Sequence, residues 1–366
     1  MHPDEQILKT PSDDVQHTPW WSPRDLTPGY FALVMASGIV SMGLYLQGHV
    51  VASTVLVAIM AVAYVVLIVL NLWRLAAYRS AMVADFSDIR RSFGFFTFVA
   101  GTGVLGSRLA LSGWWGTATV LLSIAAVSWL ILGYAVPVVA VLGKVKRPLI
   151  KGANGSWFVW TVGAQSVAVL AATLEPIIDD ANHVLAITAV FAWSLGTVLY
   201  IAVAMLVSLR MMSFPLDPRD FNPPYWISMG AVAITVLAAA RIVEMSAAPM
   251  VDATRGLVAG VAVLMWCFAT WLIPALIGVG IWRHIVHRVP LVYESSLWSI
   301  VFPLGMYSVA GIYLGRVNAL PIVEAIGAGW LWVAVTAWTL TFLAMLRAIL
   351  HRIIHRQGKR STLDSC

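Results

Sequence analysis

Ten apolar segments, each about long enough to cross a bilayer, constrain this chain more than anything else in it. They run over residues 28–47, 50–73, 93–112, 115–143, 155–174, 183–209, 225–243, 256–282, 297–315 and 321–346. A hydrocarbon core roughly 30 Å thick is spanned by about 20 helical residues rising 1.5 Å each. The segments lack the apolar–polar alternation of barrel strands, so a transmembrane β-barrel is excluded. The chain is 60% hydrophobic and only 11% charged, where soluble domains carry roughly 25% charged residues. An all-α integral membrane fold of ten transmembrane helices follows. Residues 1–27 then form a polar N-terminal tail, with Trp20 and Trp21 arriving at the membrane surface, and 347–366 a basic C-terminal tail. Asp4, Glu5, Asp13 and Asp14 rule the first stretch out as a secretory signal peptide.

The basic residues orient the chain. With the N-terminus in the cytoplasm, all but four of the 23 Lys and Arg fall on the cytoplasmic side, the asymmetry that membrane insertion favours. The exceptions are Arg108, Arg241, Arg255 and Arg316. An even number of spans puts both termini in the cytoplasm, in a plasma or inner membrane. Trp73, Trp114, Trp115, Trp157, Trp226, Trp282 and Trp298 fall near segment ends, as an aromatic belt requires. The net charge of +6 lies in loops between apolar spans and does not point to nucleic acid. Cys267 lies inside a span and Cys366 ends the chain, so neither a disulfide nor a metal spacing is expected.

Odd and even segments differ. The odd ones begin near 28, 93, 155, 225 and 297, a helical hairpin recurring at roughly 60–70-residue intervals, and such periodicity is architectural. They are rich in small and polar residues, among them Ser37, Gly38, Gly101, Gly103, Gln165, Gly230 and Gly305, whereas the even ones are more uniformly apolar. The arrangement that accommodates both facts is five hairpins in quasi-fivefold array around a central pore, odd helices inside and even helices facing lipid. The seven residues just named are then candidate pore-lining positions. The ninth segment adds an obstruction: Phe302 precedes Pro303, which should kink the helix, while Gly305, Ser308, Gly311 and Gly315 lighten one side. Close helix packing is the competing explanation of that small side.

Other motifs carry less. Residues 101–106 match G-x-G-x-x-G but lie inside a span, without the strand that nucleotide binding needs. The sequon at Asn154 faces the cytoplasm, and His284 and His287 read as part of a solvated basic loop. The central portions of all ten spans carry no Asp, Glu, Lys, Arg or His. Proton relays place ionisable groups there, and a membrane enzyme would need a base, nucleophile or metal ligand there. No catalytic residue, cofactor or metal is expected. Arg108, Arg241 and Arg316 lie at the outer ends of odd spans, where together they would concentrate anions in a vestibule. Singly, each could snorkel to headgroups or pair locally, as Arg241 with Glu244.

Four stretches, TPGYFALVMASG at 27–38, FFTFVAGTGVLG at 95–106, NGSWFVW at 154–160 and WSIVFPLGM at 298–306, resemble in order the tellurite-resistance/dicarboxylate transporter family. Its relatives include plant guard-cell slow anion channels, fungal malate permeases and sulfite exporters. The resemblance covers about residues 28–346. It implies ten helices as five hairpins, one pore per subunit, a homotrimer, and occlusion by the phenylalanine that precedes the ninth-span proline, here Phe302. Mid-span proline on an odd segment is found only at Pro303, so bends elsewhere would fall to glycine. The regulatory tails of the plant channels are missing. The expected function is an anion channel or uniporter for small inorganic anions or carboxylates. The alternative is a dicarboxylate, sulfite or tellurite-type carrier, with or without proton linkage.

Overall fold

In a computed structural model the chain is described over residues 22–143, 148–178, 181–246 and 248–363, without the side chains of 352, 353 and 355–363. Trp20, Trp21, the basic loop 144–147, Cys366 and most of the N-terminal tail lie outside the described residues, whereas the C-terminal tail continues α11 as far as Leu363. Eleven α-helices are present among the described residues: α1 (Ala32–Leu46), α2 (Val50–Ala77), α3 (Arg79–Ser87), α4 (Phe96–Ala110), α5 (Trp115–Leu142), α6 (Phe158–Leu174), α7 (Asn182–Ser213), α8 (Ile227–Val243), α9 (Pro249–Ile281), α10 (Trp298–Val317) and α11 (Pro321–Leu363). All but α3 belong to stretches long and apolar enough to cross a membrane.

Two classes of span separate by burial. The five odd spans, built on α1, α4, α6, α8 and α10, are 78–94% buried over their most apolar windows, and the five even spans only 17–39%. Each odd helix packs on the next: α1 on α4, α4 on α6, α6 on α8, α8 on α10, and α10 back on α1. The ring is therefore closed. Each even helix packs outside its hairpin partner, which sets α2, α5, α7, α9 and α11 on the perimeter. Small residues make the inner contacts possible, because in lipid helices associate by close backbone approach. A Cβ at Gly103 would lie 2.8 Å from Ser166, and one at Gly106 only 2.5 Å from Leu170.

Every inner helix opens with a 3-10 turn: Pro28–Phe31, Ser92–Phe95, Gly155–Trp157, Pro223–Trp226 and Ser295–Leu297. Such turns are common at helix N-termini, and proline suits them because its missing N–H would be unpaired there anyway. Side chains lock the turns. Thr97 Oγ1 donates to the carbonyls of Gly94 (2.7 Å) and Pro28 (3.0 Å), tying two of them together. Asn154 accepts from the Ser156 backbone N–H at 2.8 Å.

Four features differ from the sequence expectation. Helix α3 was not foreseen; it is held by Asp85, which pairs with Arg74 at 2.6 Å and Arg91 at 2.8 Å. Helix α9 starts at Pro249 rather than near 256, so Arg255 lies on the helix and not in a loop. Proline at the first turn and Asp252 beside it favour that early start. Helix α10 runs through Pro303 as one α-helix. Finally, Ser308, Gly311 and Gly315 of its small side face α11, while Gly305 packs on α1. Ser308 Oγ donates to the Gly327 carbonyl at 2.7 Å, and a Cβ at Gly311 would lie 3.1 Å from Gly327 Cα. The small residues are a packing seam.

Candidate functional site: the axis of the ring

Two small cavities lie on the ring axis, and all five inner helices contribute to each. The first is lined by Ile39 and Met42 of α1, Gly103, Val104 and Ser107 of α4, Ser166 and Val169 of α6, Ile234 and Leu237 of α8, and Met306 of α10. The second shares Met42, Ser107, Val169 and Leu237 and adds Leu111, Thr173, Arg241 and Tyr313. Along each helix these positions recur every three or four residues, one face of an α-helix. The second cavity is displaced toward the C-terminal ends of the inner helices, so the two stack along the axis. Each measures about 10 Å3, which is the space of about one water molecule.

The wall is mostly apolar, with Arg241 and Tyr313 at the far end of the second cavity, and its serine and threonine hydroxyls are already engaged. Ser107 donates to the Gly103 carbonyl (2.9 Å), Ser166 to Gly163 (2.8 Å) and Thr173 to Val169 (2.7 Å). No acidic side chain lines either cavity among the described residues.

Met306 and Tyr313 mark the axial face of α10. Phe302 lies one turn before Met306, hence on the same face, and is 1% exposed. Its neighbour Pro303 sits against α8, where a Cβ at Gly230 would come within 2.8 Å of the proline ring. Of the small and polar residues that the sequence offered, Gly103 reaches the axial cavity. Ser37 Oγ accepts from Trp338 Nε1 of α11 at 2.9 Å. Gly38 packs on Met60 and Val104, Gly101 on Phe31 and Val34, and Gly305 on Ile39 and Val40. Gln165 donates to the Trp193 carbonyl of α7 at 3.1 Å. The sequence reading missed the medium-sized apolar wall, Tyr313 and Glu175. The phase of Met306 and Tyr313 relative to Phe302 was the available signal.

Residues 25–346 match the family model described as voltage-dependent anion channel. The chain belongs to this family. The match spans every residue named on the axis, and the molecule is a multi-pass membrane protein. An uncharacterized membrane protein of Mycobacterium tuberculosis, known from two strains, is 56% identical over 163 residues, 44% of this chain and 82% of that protein. Two uncharacterized transporters of Methanocaldococcus jannaschii are 24% and 25% identical over 159 and 153 residues, 43% and 42% of this chain and 45% and 43% of those proteins.

Fixed positive charges near the axis set the local potential that an ion would meet there. Arg241 lines the second cavity, pairs with Glu244 at 2.5 Å and lies 5.3 Å from the Tyr313 ring. Arg316 pairs with Glu324 at 2.7 Å, and Arg255 with Asp252 at 3.2 Å. Arg108 differs. It is 2% exposed and bonds to hydroxyls only, Ser41 (3.0 Å), Ser53 (2.8 Å) and Ser112 (2.7 Å), with the Tyr45 ring 4.5 Å away. No carboxylate pairs with it among the described residues. The three arginines expected in one vestibule thus divide: Arg241 reaches the axis, Arg108 is buried between α1, α2 and α4, and Arg316 bonds outward to α11. At the C-terminal end of α6, the buried Glu175 accepts from the Ser246 hydroxyl (2.8 Å) and N–H (3.3 Å).

Proposed function

We propose that the chain is a passive channel or uniporter for small inorganic anions or carboxylates, closed by Phe302. The observation that carries the reading is the closed ring whose axis holds two one-water cavities with no acidic wall, ending at Arg241. The uncharged, donor-poor wall of the first cavity binds an anion weakly, and conduction requires weak binding. Positive charge near the far end raises the local anion concentration. Phe302, one turn from the first cavity and supported by Pro303 on α8, is the side chain whose movement opens the path; a phenyl ring blocks sterically and replaces no hydration shell. The positive-inside pattern favours a plasma or inner membrane with both termini cytoplasmic, a transmembrane body over 28–346 and tails on either side. Assembly as a homotrimer, one pore per subunit, follows from the family resemblance.

A carrier of dicarboxylate, sulfite or tellurite type, with or without proton linkage, is the second reading. Glu175 favours it, because it is a buried carboxylate at the C-terminal end of inner helix α6 that binds hydroxyl and amide and pairs with no cation among the described residues. Flux into liposomes separates the two. Voltage-driven flux of chloride or nitrate without a pH gradient supports the channel; flux that needs the gradient supports the carrier. Phe302→Ala should raise anion flux severalfold, and its loss of stability should stay below the about 3–5 kcal/mol of a dry core truncation, because water fills the space. A destabilised variant no more permeable than wild type removes Phe302 from the mechanism.

A further inference from the structure

A cavity larger than the two on the axis lies away from it. It measures about 50 Å3 and lies at the end where the inner helices begin, between the end of α9, the turn before α8 and the segment leading into α10. Its lining includes Asn222, Gly280, Arg283, His284, Leu291 and Glu294. Helix α9 leaves its regular path here in a π turn, Trp282–Val286, a local rearrangement frequent at functional sites. That turn delivers Arg283 inward, where it is 9% exposed.

Two buried polar atoms on this lining lack partners. Arg283 donates to the Phe221 carbonyl through Nη1, but its Nε has no hydrogen-bond partner among the described residues, and neither has Asn222 Oδ1. Buried polar groups are rarely left unpaired, so each needs an explanation. A guanidinium with an unused N–H is a donor for an oxyanion. His284 Nδ1 faces the Val289 carbonyl at 2.8 Å, so that nitrogen carries a proton and Nε2 is the one left over. The acid on the lining, Glu294, is exposed and accepts from the Ser296 hydroxyl at 3.0 Å, which holds it at the rim. Asp220 nearby is paired with Arg210 at 3.2 Å.

We infer that this cavity binds a phosphate group, using the Arg283 guanidinium. The volume fits: about 50 Å3 is several water-sized spaces of roughly 10–15 Å3 each, room for a tetrahedral group of five heavy atoms. The surroundings fit a headgroup, since Leu291, Val292, Ile285 and Val286 beside it are 64–74% exposed and offer acyl chains an apolar surface. Basic pockets between membrane helices take lipid headgroups in this way. The site is independent of conduction and is read without flux.

Native mass spectrometry on the full chain in neutral detergent tests it, with phosphatidylglycerol, diacylglycerol of the same acyl chains (which lacks the phosphate) or inorganic phosphate added. The wild type should retain phosphatidylglycerol about tenfold better than diacylglycerol. Gly280→Leu should abolish that preference, because a Cβ at Gly280 meets nothing within 4 Å and the larger side chain fills the cavity. It should fold normally, leucine being the better helix former. Arg283→Gln should lose the preference as well, and Arg288→Gln, off the lining, should keep it. If inorganic phosphate displaces phosphatidylglycerol, the source is a soluble ion; if it does not, the source is lipid, and either result supports the site. Equal retention of the two lipids by wild type, or an undiminished preference in Gly280→Leu, overturns it. Should Arg283→Gln fail to fold, Gly280→Leu decides.

Discussion

Two glycines two residues apart on α11 should respond to alanine in opposite ways. At Gly327 a Cβ would lie 2.7 Å from Ile312 N, 2.7 Å from the Ser308 carbonyl oxygen and 2.9 Å from Gly311 C, all backbone of α10. At Gly329 it would meet nothing within 4 Å. Alanine in place of an interior helical glycine contributes about 0.5–1 kcal/mol of stability through propensity alone, and Gly329→Ala should show just that gain. Gly327→Ala gains the same but must push two helices apart. Overpacking of this kind costs about 1–3 kcal/mol. Widening the seam also breaks the 2.7 Å bond from Ser308 to the Gly327 carbonyl, a further loss of about 0.5–1.5 kcal/mol. The net expectation is a loss of about 1–4 kcal/mol. Melting of the purified protein in one detergent at one scan rate reads both variants, since membrane-protein unfolding is often irreversible and scan-dependent. Gly329→Ala should melt above wild type and Gly327→Ala below it by several degrees. Gly311→Ala, on the other side of the seam, should follow Gly327→Ala. Were this side of α10 a lining of the conduction path instead, Gly311→Ala would narrow it, lowering flux while leaving the melting temperature alone. That outcome, or Gly327→Ala melting with Gly329→Ala, would refute the seam.

Further expectations concern charge and orientation. Arg108→Gln should lower anion flux at every salt concentration, whereas Arg316→Gln, already neutralised by Glu324, should change flux little even at low ionic strength, where screening is weakest; the reverse ranking would place the operative charge at the rim. Arg241→Gln should fall between, because Glu244 offsets the charge it removes; a loss as large as that of Arg108→Gln counts against the ranking. Glu175→Gln should keep the Ser246 contact and leave voltage-driven flux intact; abolition of pH-gradient-driven flux would establish the carrier. Cysteines placed near Asp252 should label from outside intact cells and those near Arg288 should not; labelling near Arg288 reverses the orientation.

The span positions were legible because lipid tolerates few chemistries and the chain writes them out in long apolar runs. The inner and outer classes were legible for a related reason. Gly101, Gly103, Ser166 and Gly230 mark helices that must approach backbone to backbone, while α2 or α11 needs only to be apolar. The same signal does not by itself separate a seam from the axis, which Gly103 reaches. A glycine marks where two helices touch, so Gly38, Gly305 and Gly311 lie in seams, and the axis is left to Ile39, Met42, Ile234 and Leu237. Ring closure needs the contact of α1 with α10, far apart in sequence, and no single-sequence pattern carries it. Helix α3 was missed because its support is the buried Arg74–Asp85 pair, a tertiary contact. The partners of Arg108 were hidden likewise: Ser41 and Ser53 lie more than 50 residues away in the chain.

Arg108 also bears on how an apolar axis could prefer anions. A fixed charge acts on the axis in proportion to how little of it is cancelled nearby. Arg241 and Arg316 each sit within 2.7 Å of a carboxylate, so at a distance each pair is close to a dipole. The hydroxyls around Arg108 pair its N–H groups without cancelling its charge, and its chain neighbour Ser107 lines both cavities. A unit charge about 10 Å away, at an effective dielectric constant of about 20, contributes about 1.7 kcal/mol to a monovalent ion. That corresponds to roughly a tenfold or greater enrichment of anions and an equal exclusion of cations. Burying the guanidinium is expensive in proportion to its desolvation, and three serines and a tyrosine face are what keep it there. A carboxylate in their place would hold the arginine more tightly and erase its field. On the proposed channel reading, the choice of neutral partners is the feature that would let one buried residue hold its place and still act on the axis.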